Sequence, residues 1–567
     1  TLWPPLRRLQ AMPHAAPVLM PRRRPRWTRQ TAVAGAIALL VAACGGGGGD
    51  PPAPPPEPTS VTRAVASGPT LVAAGCTGGR SSGTVFVDAE GEPFVAVSPT
   101  QPERLVGTWQ QDRTSDGGAR ALATALSVDG GRSWQRALHP MSRCGGAAAG
   151  TAGDHERASD PWVDIGPTGT VFLMGLAFSG ANFAPGSSSA MLVQRSLDGG
   201  QRWSEPVAVQ SDGATHFNDK NTLTADPTDA RFVYAVWDRL DSDSRGPTLL
   251  ARSTDGGVRW EPAREIFAPQ VPGGVSQTIA NRIVVLTDGP ERGLLVNVFI
   301  QIDSVGTQST NTVRVMRSSD QGLTWSAPVT VAEQRSVGTR DPDTGDRVRD
   351  GAIVPTIAAG PGGQLWLAWQ DARFSNGARD AIALSRSADG GRSWSAPVAV
   401  NRNAEVAAFT PTLHVRADGT VGLMHFDLRS NTSDRNTLRA DLWLLTSRDG
   451  VNWAETALER GFDLQRAPSA AGGLFLRCAA PPPRCGCRCR APAGRQTHRG
   501  GGAAHRRTRR RAVQCPPGPG GRAVGRRPGP AGPGGQRGHR ALDGTAPARL
   551  DGARAAAPRA DHRSHAL

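Results

Sequence analysis

The chain has 567 residues and a formal net charge of +16, but the excess sits at its ends. Residues 1–43 hold seven arginines and no acid, residues 477–567 hold twenty arginines and three aspartates, and the body between is net acidic at −8. A pI near 11 therefore marks no nucleic-acid surface, and the length suits one large domain with tails.

Thr1 is not a start residue, and Met20 reads as a better one. Arg22, Arg23, Arg24, Arg26 and Arg29 form a positive n-region, and Thr31 to Ala43 form an apolar stretch too short to span a bilayer. Residues 1–43 thus read as a signal peptide. The stretch runs into Leu40-Val41-Ala42-Ala43-Cys44, which resembles a bacterial lipobox. That resemblance implies lipidation of Cys44 and a protein held by its N-terminal lipid to a membrane of the cell envelope, periplasmic or surface-exposed. An ordinary secretory signal is the other reading. Gly45 to Gly49 and the proline run from Pro51 to Pro58 make residues 44–84 an extended tether.

The body is organised by one repeated string, Ser-x-Asp-Gly-Gly-x-x-Trp. It opens at Ser127, Ser196, Ser253, Ser318, Ser387 and, shortened, Ser447, in steps of 69, 57, 65, 69 and 60 residues. Asp-Gly signals a tight turn, because glycine takes positive φ at no steric cost. The Ser and Asp side chains can bond the turn's own backbone, and the Trp offers a face to bury. The motif aspartates are Asp129, Asp198, Asp255, Asp320, Asp389 and Asp449. Alternating β-rich runs flank each copy, as in Pro93–Val97, Arg104–Trp109 and Ala121–Ser127 around the first. No stretch reads as a long amphipathic helix. Six hairpin tips at this spacing predict an all-β fold, a six-bladed β-propeller of four-stranded antiparallel blades over residues 85–465.

A second repeat lies inside the first. Strand two tends to end in an aromatic, an acid and an arginine: Trp109 with Asp112 and Arg113, Trp237 with Asp238 and Arg239, Trp369 with Asp371 and Arg373, Phe426 with Asp427 and Arg429. In an up-and-down blade these ends lie opposite the Ser-x-Asp turns. The connections feeding that face are polar too, with Asp160, Asp219, Lys220, Arg349 and Asp350.

The turn motif resembles the Asp-box, or bacterial neuraminidase repeat, of the sialidase superfamily. The resemblance implies an active centre on the face away from the boxes, an arginine triad for a sugar carboxylate, an Asp acid/base and a Tyr nucleophile. On it, Asp112, Asp160, Asp238 and Asp371 are catalytic candidates, and Arg113, Arg239, Arg349, Arg373 and Arg429 are ligand-binding candidates. Guanidinium forks suit a carboxylate geometrically. Two features depart from the pattern. The Phe/Tyr-Arg-Ile-Pro string is missing, the nearest being Asn281-Arg282-Ile283-Val284, and the single tyrosine, Tyr234, lies mid-strand where packing between blades is expected. The acid–arginine neighbours can equally be salt bridges that hold blades together. An exo-α-sialidase-like glycoside hydrolase and a non-catalytic propeller binding glycans or surface proteins, acting as a monomer, both stay open.

Asp341-Pro342-Asp343-Thr344-Gly345-Asp346 resembles a short calcium loop but lacks the late Glu of an EF-hand; a solvated surface loop is the expectation, with no metal and no cofactor. Cys76 and Cys144 are the body's only cysteines and could pair in an oxidising compartment. Residues 466–567 form an Arg/Gly/Pro tail whose composition cannot bury a core and reads as an out-of-frame translation of a GC-rich gene.

Overall fold

The computed structural model describes residues 61–79 and 83–466, and the backbone of 469–470 and 473–475. The expectations for the leader, for Cys44 and for the rest of the tail fall outside the described residues.

Four antiparallel strands, hydrogen-bonded in chain order, recur along the body. The first meander is Glu90–Val97, Leu105–Arg113, Ala119–Ser127 and Gln135–His139, and the second is Arg157–Ile165, Val171–Ser179, Ser188–Ser196 and Val207–Asp212. The third is His216–Ala225, Val233–Asp241, Thr248–Ser253 and Arg264–Phe267, and the fourth is Val275–Val285, Leu295–Val305, Gln308–Ser318 and Val329–Gln334. The fifth is Thr356–Ala359, Leu365–Asp371, Ala381–Ser387 and Val398–Ala399, and the sixth is Ala408–Val415, Val421–Asp427, Arg439–Ser447 and Ala454–Asp463. A single Ala119–Ala158 pair joins the first two into one sheet. Among the described residues the only helices are 3-10 turns. The arrangement is all-β and propeller-like, with the first strand of each meander innermost.

Each Ser-x-Asp string is the turn between strands three and four, and its bonds repeat. In the fifth, Ser387 Oγ donates to Asp389 Oδ1 at 2.8 Å and accepts from the Gly391 amide at 2.9 Å. Asp389 Oδ1 accepts the amides of Arg392 and Ser393 at 3.0 and 2.9 Å, and the Trp394 ring donates back to the Gly391 carbonyl at 3.3 Å. In the third string the second glycine is under steric demand: Gly257 has φ +76, and a Cβ there would lie 2.6 Å from Phe172. The first is dispensable, since Gln321 takes φ 55 in its place.

Cores form between neighbouring meanders, with Trp237 and Trp369 fully buried in two of them. A buried indole needs an acceptor. Trp369 Nε1 donates to Asp371 at 2.9 Å, Trp109 Nε1 to Gln111 at 3.0 Å, and Trp237 Nε1 to Asn218 at 2.8 Å. The acid after the strand-two aromatic serves that packing in the fifth meander, whereas an amide oxygen takes the indole in the first and third.

Residues 61–79, placed by composition within the tether, lie against the first meander. Arg136 donates to the Pro69 carbonyl at 2.7 Å, Thr70 Oγ1 donates to Asp112 at 3.0 Å, and Cys76 is disulfide-bonded to Cys144. Arg63 Nε donates to the Leu458 carbonyl at 3.2 Å and faces Glu459 at 3.3 Å, so the same segment reaches the sixth meander. Past the residue-465 boundary, Gly473–Phe475 runs parallel to Val348–Arg349 and pairs with Ser469–Ala470.

Two outcomes follow for the turns. Ser387→Ala leaves a buried amide without its acceptor and should lower stability by about 1 kcal/mol in urea denaturation. Hydrogen bonds from Ser393 and Thr324 overcome burial and hold Asp389 and Asp320 down at about 2, and Asp255 is held there chiefly by the Arg259 amide. Free aspartate titrates near about 4. The depressed groups therefore contribute stability that is complete above about 4 and lost as pH falls towards about 2, which a thermal melt series over that range should show.

Candidate functional site

The inner strands carry the site, and they do so through a bulge. In five meanders the ladder slips by one residue, and the residue at the slip takes positive φ: Glu92 (50°), Asp160 (50°), Lys220 (47°), Ala280 (58°) and Thr410 (51°). Bulges re-aim side chains, and here three of the five are ionisable.

Those three meet two arginines. Lys220 Nζ lies 2.8 Å from Asp160 Oδ2 and 3.8 Å from Asp219. Arg349 lies 2.8 Å and Arg113 3.6 Å from Glu92 Oε1. Gln110 Nε2 donates to Glu92 at 2.9 Å and to Ser159 Oγ at 2.7 Å, and Ser159 Oγ donates to Asp160. The Glu92, Arg349 and Lys220 side chains are 24%, 28% and 16% exposed, while Asp160 is 5% exposed. The cluster is therefore open on its Glu92–Arg349 side and closed behind Asp160.

Two residues further along the inner strands the axis is plugged. Phe94 and Trp162 stack with ring centroids 3.7 Å apart. The Arg282 guanidinium sits over both rings, 5.8 and 5.1 Å from their centroids, and donates to Thr356 Oγ1 at 3.1 Å. Burial lowers Arg282 to about 10. Cations on aromatic faces are stabilised by the ring quadrupole, and this layer floors the cluster.

The electrostatics divide the carboxyls. Burial alone would raise Glu92, but Lys220, Arg349 and Arg113 hold it well below the usual range. Burial, joined by the charge of Glu92, raises Asp160. Lys220 is held above its usual value against burial by Asp160, Asp219 and Glu92. Asp238 is pushed well above the usual range by burial and by Asp219, its Oδ1 accepting from Asn281 at 3.4 Å and its Oδ2 buried without a partner. Carboxyls pushed apart in this way are the usual basis for separate acid and base roles.

Of the residues the sequence nominated, Asp160, Arg113 and Arg349 come together here, and Asp238 is buried within reach of the charges of Asp219 and Lys220. The others are engaged elsewhere. Asp112 is fully buried, accepting from the Asp88 amide at 3.0 Å and facing Arg120 at 3.2 Å. Arg239 pairs with Asp212 of the second meander at 2.5 Å. Arg373 pairs with Asp371 at 2.8 Å and donates to the Glu333 carbonyl. Arg429 bridges Asp427 at 2.7 Å and Glu455 at 2.9 Å, with its guanidinium 3.7 Å from the Trp443 ring centroid. Tyr234 is buried, its hydroxyl donating to Asp226 at 3.0 Å, and burial and that carboxylate raise its pKa. In the Asp341–Asp346 loop, Asp341 accepts the Asp343 amide at 2.9 Å and Gln465 at 3.2 Å. No group of metal-ligating side chains occurs among the described residues.

Glu92 was missed. A signal existed: Glu92-Pro93-Phe94-Val95, Asp160-Pro161-Trp162-Val163, Lys220-Asn221-Thr222-Leu223, Ala280-Asn281-Arg282-Ile283 and Thr410-Pro411-Thr412-Leu413 share one pattern at the repeat spacing. Pro or Asn directly follows the bulge residue, where proline's missing N–H costs no ladder bond.

Comparison with known proteins adds a family. The BNR repeat-like domain matches residues 173–461, more than half of the chain. A sialidase of Micromonospora viridifaciens is 32% identical over an alignment of 163 residues that covers 25% of this chain and 24% of that protein. Among solved structures, the Hadza microbial sialidase Hz136 aligns with TM-score 0.37 and 19% identity over 59% of this chain and 63% of its own. A Penicillium chrysogenum α-L-arabinanase complexed with arabinobiose aligns with TM-score 0.41 and 14% identity over 60% of this chain and 90% of its own.

Two substitutions test the cluster. Lys220→Met strands Asp160 and Asp219 and should cost roughly 3 kcal/mol or more in urea denaturation, and adding Asp160→Asn should recover part of it. The buried Asp238 holds its proton above the range in which the unfolded group releases it, near about 4. Stability therefore falls as pH rises from about 4 through the folded value. Asp238→Asn should remove that slope, leaving the variant at least as stable as the parent at pH 8.

Proposed function

This chain belongs to the BNR repeat-like domain family, and from that premise we propose that it is a six-bladed propeller whose axial cluster takes the acidic end of a glycan. The observation that carries this reading is the convergence of Arg113 and Arg349 on Glu92 beside the Lys220–Asp160 pair. Two guanidiniums, those of Arg113 and Arg349, face the one carboxylate of Glu92, a local excess of positive charge towards an incoming sugar carboxylate. Arg349, 28% exposed, presents its guanidinium at the open side with the buried Arg113 behind it, and a guanidinium fork recognises such a group by geometry as well as charge.

The raised pKa of Asp160 suits a general acid towards a glycosidic oxygen. In that step the C–O bond to the leaving sugar breaks, its oxygen takes the Asp160 proton, and water supplies the new C–OH bond, its proton restoring the cluster. A covalent route through Tyr234 has no support, because that hydroxyl is buried against Asp226. The same burial favours a second reading, a propeller that binds acidic glycans without cleaving them. The lipobox-like Cys44 supports tethering at the cell envelope in either case.

Turnover of a fluorogenic sialoside and calorimetric binding of N-acetylneuraminic acid separate the readings. Asp160→Asn should cut turnover by about 100-fold or more with binding retained, whereas Arg349→Gln should weaken binding. Both activities should decline as pH rises and Asp160 loses its proton. Binding without parental turnover selects the second reading, and absence of both overturns the acidic-glycan assignment.

A further inference from the structure

The rim between the fourth and fifth meanders is unlike the rest of the cluster's face. The second hairpin strand pair of the fourth meander, Leu295–Val305 and Gln308–Ser318, is eleven residues long on each side, so its tip overhangs. Beneath it opens a cleft of about 420 Å³ between Ser309, Asn311, Gln334, Arg335 and Ser336, with Ile302 and Ile353 as its apolar walls. That volume lies within the range of small-molecule sites. Around it stand Val305, Val337, Val354 and Phe374, each 40–42% exposed. Phe374 is the one aromatic among the exposed large apolar side chains of the described residues. It sits on the turn whose Ala372 amide donates to the Arg335 carbonyl at 3.1 Å.

The cleft is wired to the axial cluster. Gln334 Nε2 donates to the Ala352 carbonyl at 2.5 Å, and Gln370 Nε2 donates to Asp350 at 2.9 Å, next to Arg349. The Arg335–Glu333 pair at 2.9 Å leaves no net charge at the mouth.

We propose that this cleft is a second sugar subsite, for the neutral, hydroxyl-rich residues that follow the acidic end of an oligosaccharide. Amide, hydroxyl and guanidinium groups there match sugar hydroxyls, and an exposed phenyl ring offers the apolar face against which a pyranose packs. The Val305 hairpin and the Phe374 turn form the two banks. The proposal rests on the acidic-glycan reading for what occupies the axis, but not for the cleft itself.

Calorimetry of the full chain with sialyllactose, N-acetylneuraminic acid and lactose tests it, with Asn311→Ala and Phe374→Ala as variants outside the axial cluster. The trisaccharide should bind more tightly than the free acid, and each variant should weaken the trisaccharide about fivefold, one hydrogen bond's worth or so, with the acid unchanged. Lactose bound and lost in both variants, with no binding of the acid, supports the subsite and sinks the axial reading. Equal affinity for trisaccharide and acid, indifferent to both variants, overturns the subsite alone. No binding of any of the three overturns both.

Discussion

An arginine one residue before the turn serine ties four of the six meanders to the next. Arg195 donates to the Gly256 carbonyl at 3.2 Å, Arg252 to Gln321 at 2.9 Å, Arg317 to Gly390 at 2.6 Å and Arg386 to Asp449 at 2.6 Å. Each bond joins the end of strand three in one meander to the turn of the following one. Arg104 does the same for the second turn through the Gly199 carbonyl at 3.0 Å. A charged donor on a carbonyl is among the stronger hydrogen bonds, and it holds only if the turn presents that carbonyl outward, which the Ser and Asp side chains enforce from inside. The string is thus both a turn and a socket. The spacing of the sheets around the axis, and with it the convergence of the inner strands, depends on that coupling.

The series has two breaks: Leu126 stands at the position in the first meander, where Arg104 substitutes, and Thr446 stands at it in the sixth. Other contacts span the seam. Arg63 reaches Leu458 and Glu459, and its own segment is fixed to the first meander by the Cys76–Cys144 disulfide. On the axis, Arg349 from ahead of the fifth meander crosses to Glu92 of the first. The Arg349–Glu92 ion pair is therefore a fastening across the seam, which explains why Glu92 is held ionised in a half-buried position. Positive φ at Glu92, Asp160 and Lys220 is a cost of order 1 kcal/mol or more apiece, sustained by the ladders on either side.

The turns were legible because every determinant lies within eight residues: the serine, the carboxylate, the glycines and the indole. The sheets followed from spacing. The site was half legible. Asp160, Arg113 and Arg349 stood out as charges at strand ends, but Glu92 sat in a pattern whose members share shape rather than chemistry. Lys220-Asn221 and Ala280-Asn281 look nothing like Glu92-Pro93 until the ladder slip at each is seen. What unites them is a backbone conformation, and single-sequence reading registers side chains.

The strand-two arginines show the converse. Four aromatic–acid–arginine strings at equivalent positions suggested four convergent arginines, yet equivalence in a radial array means separation, since each position recurs one blade away. Arg239, Arg373 and Arg429 each find a carboxylate within reach, at 2.5, 2.8 and 2.7 Å, and three of the neighbouring indoles need a polar partner from the same region. Arg113 alone of the four turns inward, because Glu92 at the bulge offers a carboxylate on the axis. A bulge residue's identity, not the arginine that follows strand two, decides whether a blade contributes to the centre. By that criterion the first three meanders bring ionisable residues, Glu92, Asp160 and Lys220, to the bulge position, while the fourth and sixth place Ala280 and Thr410 there.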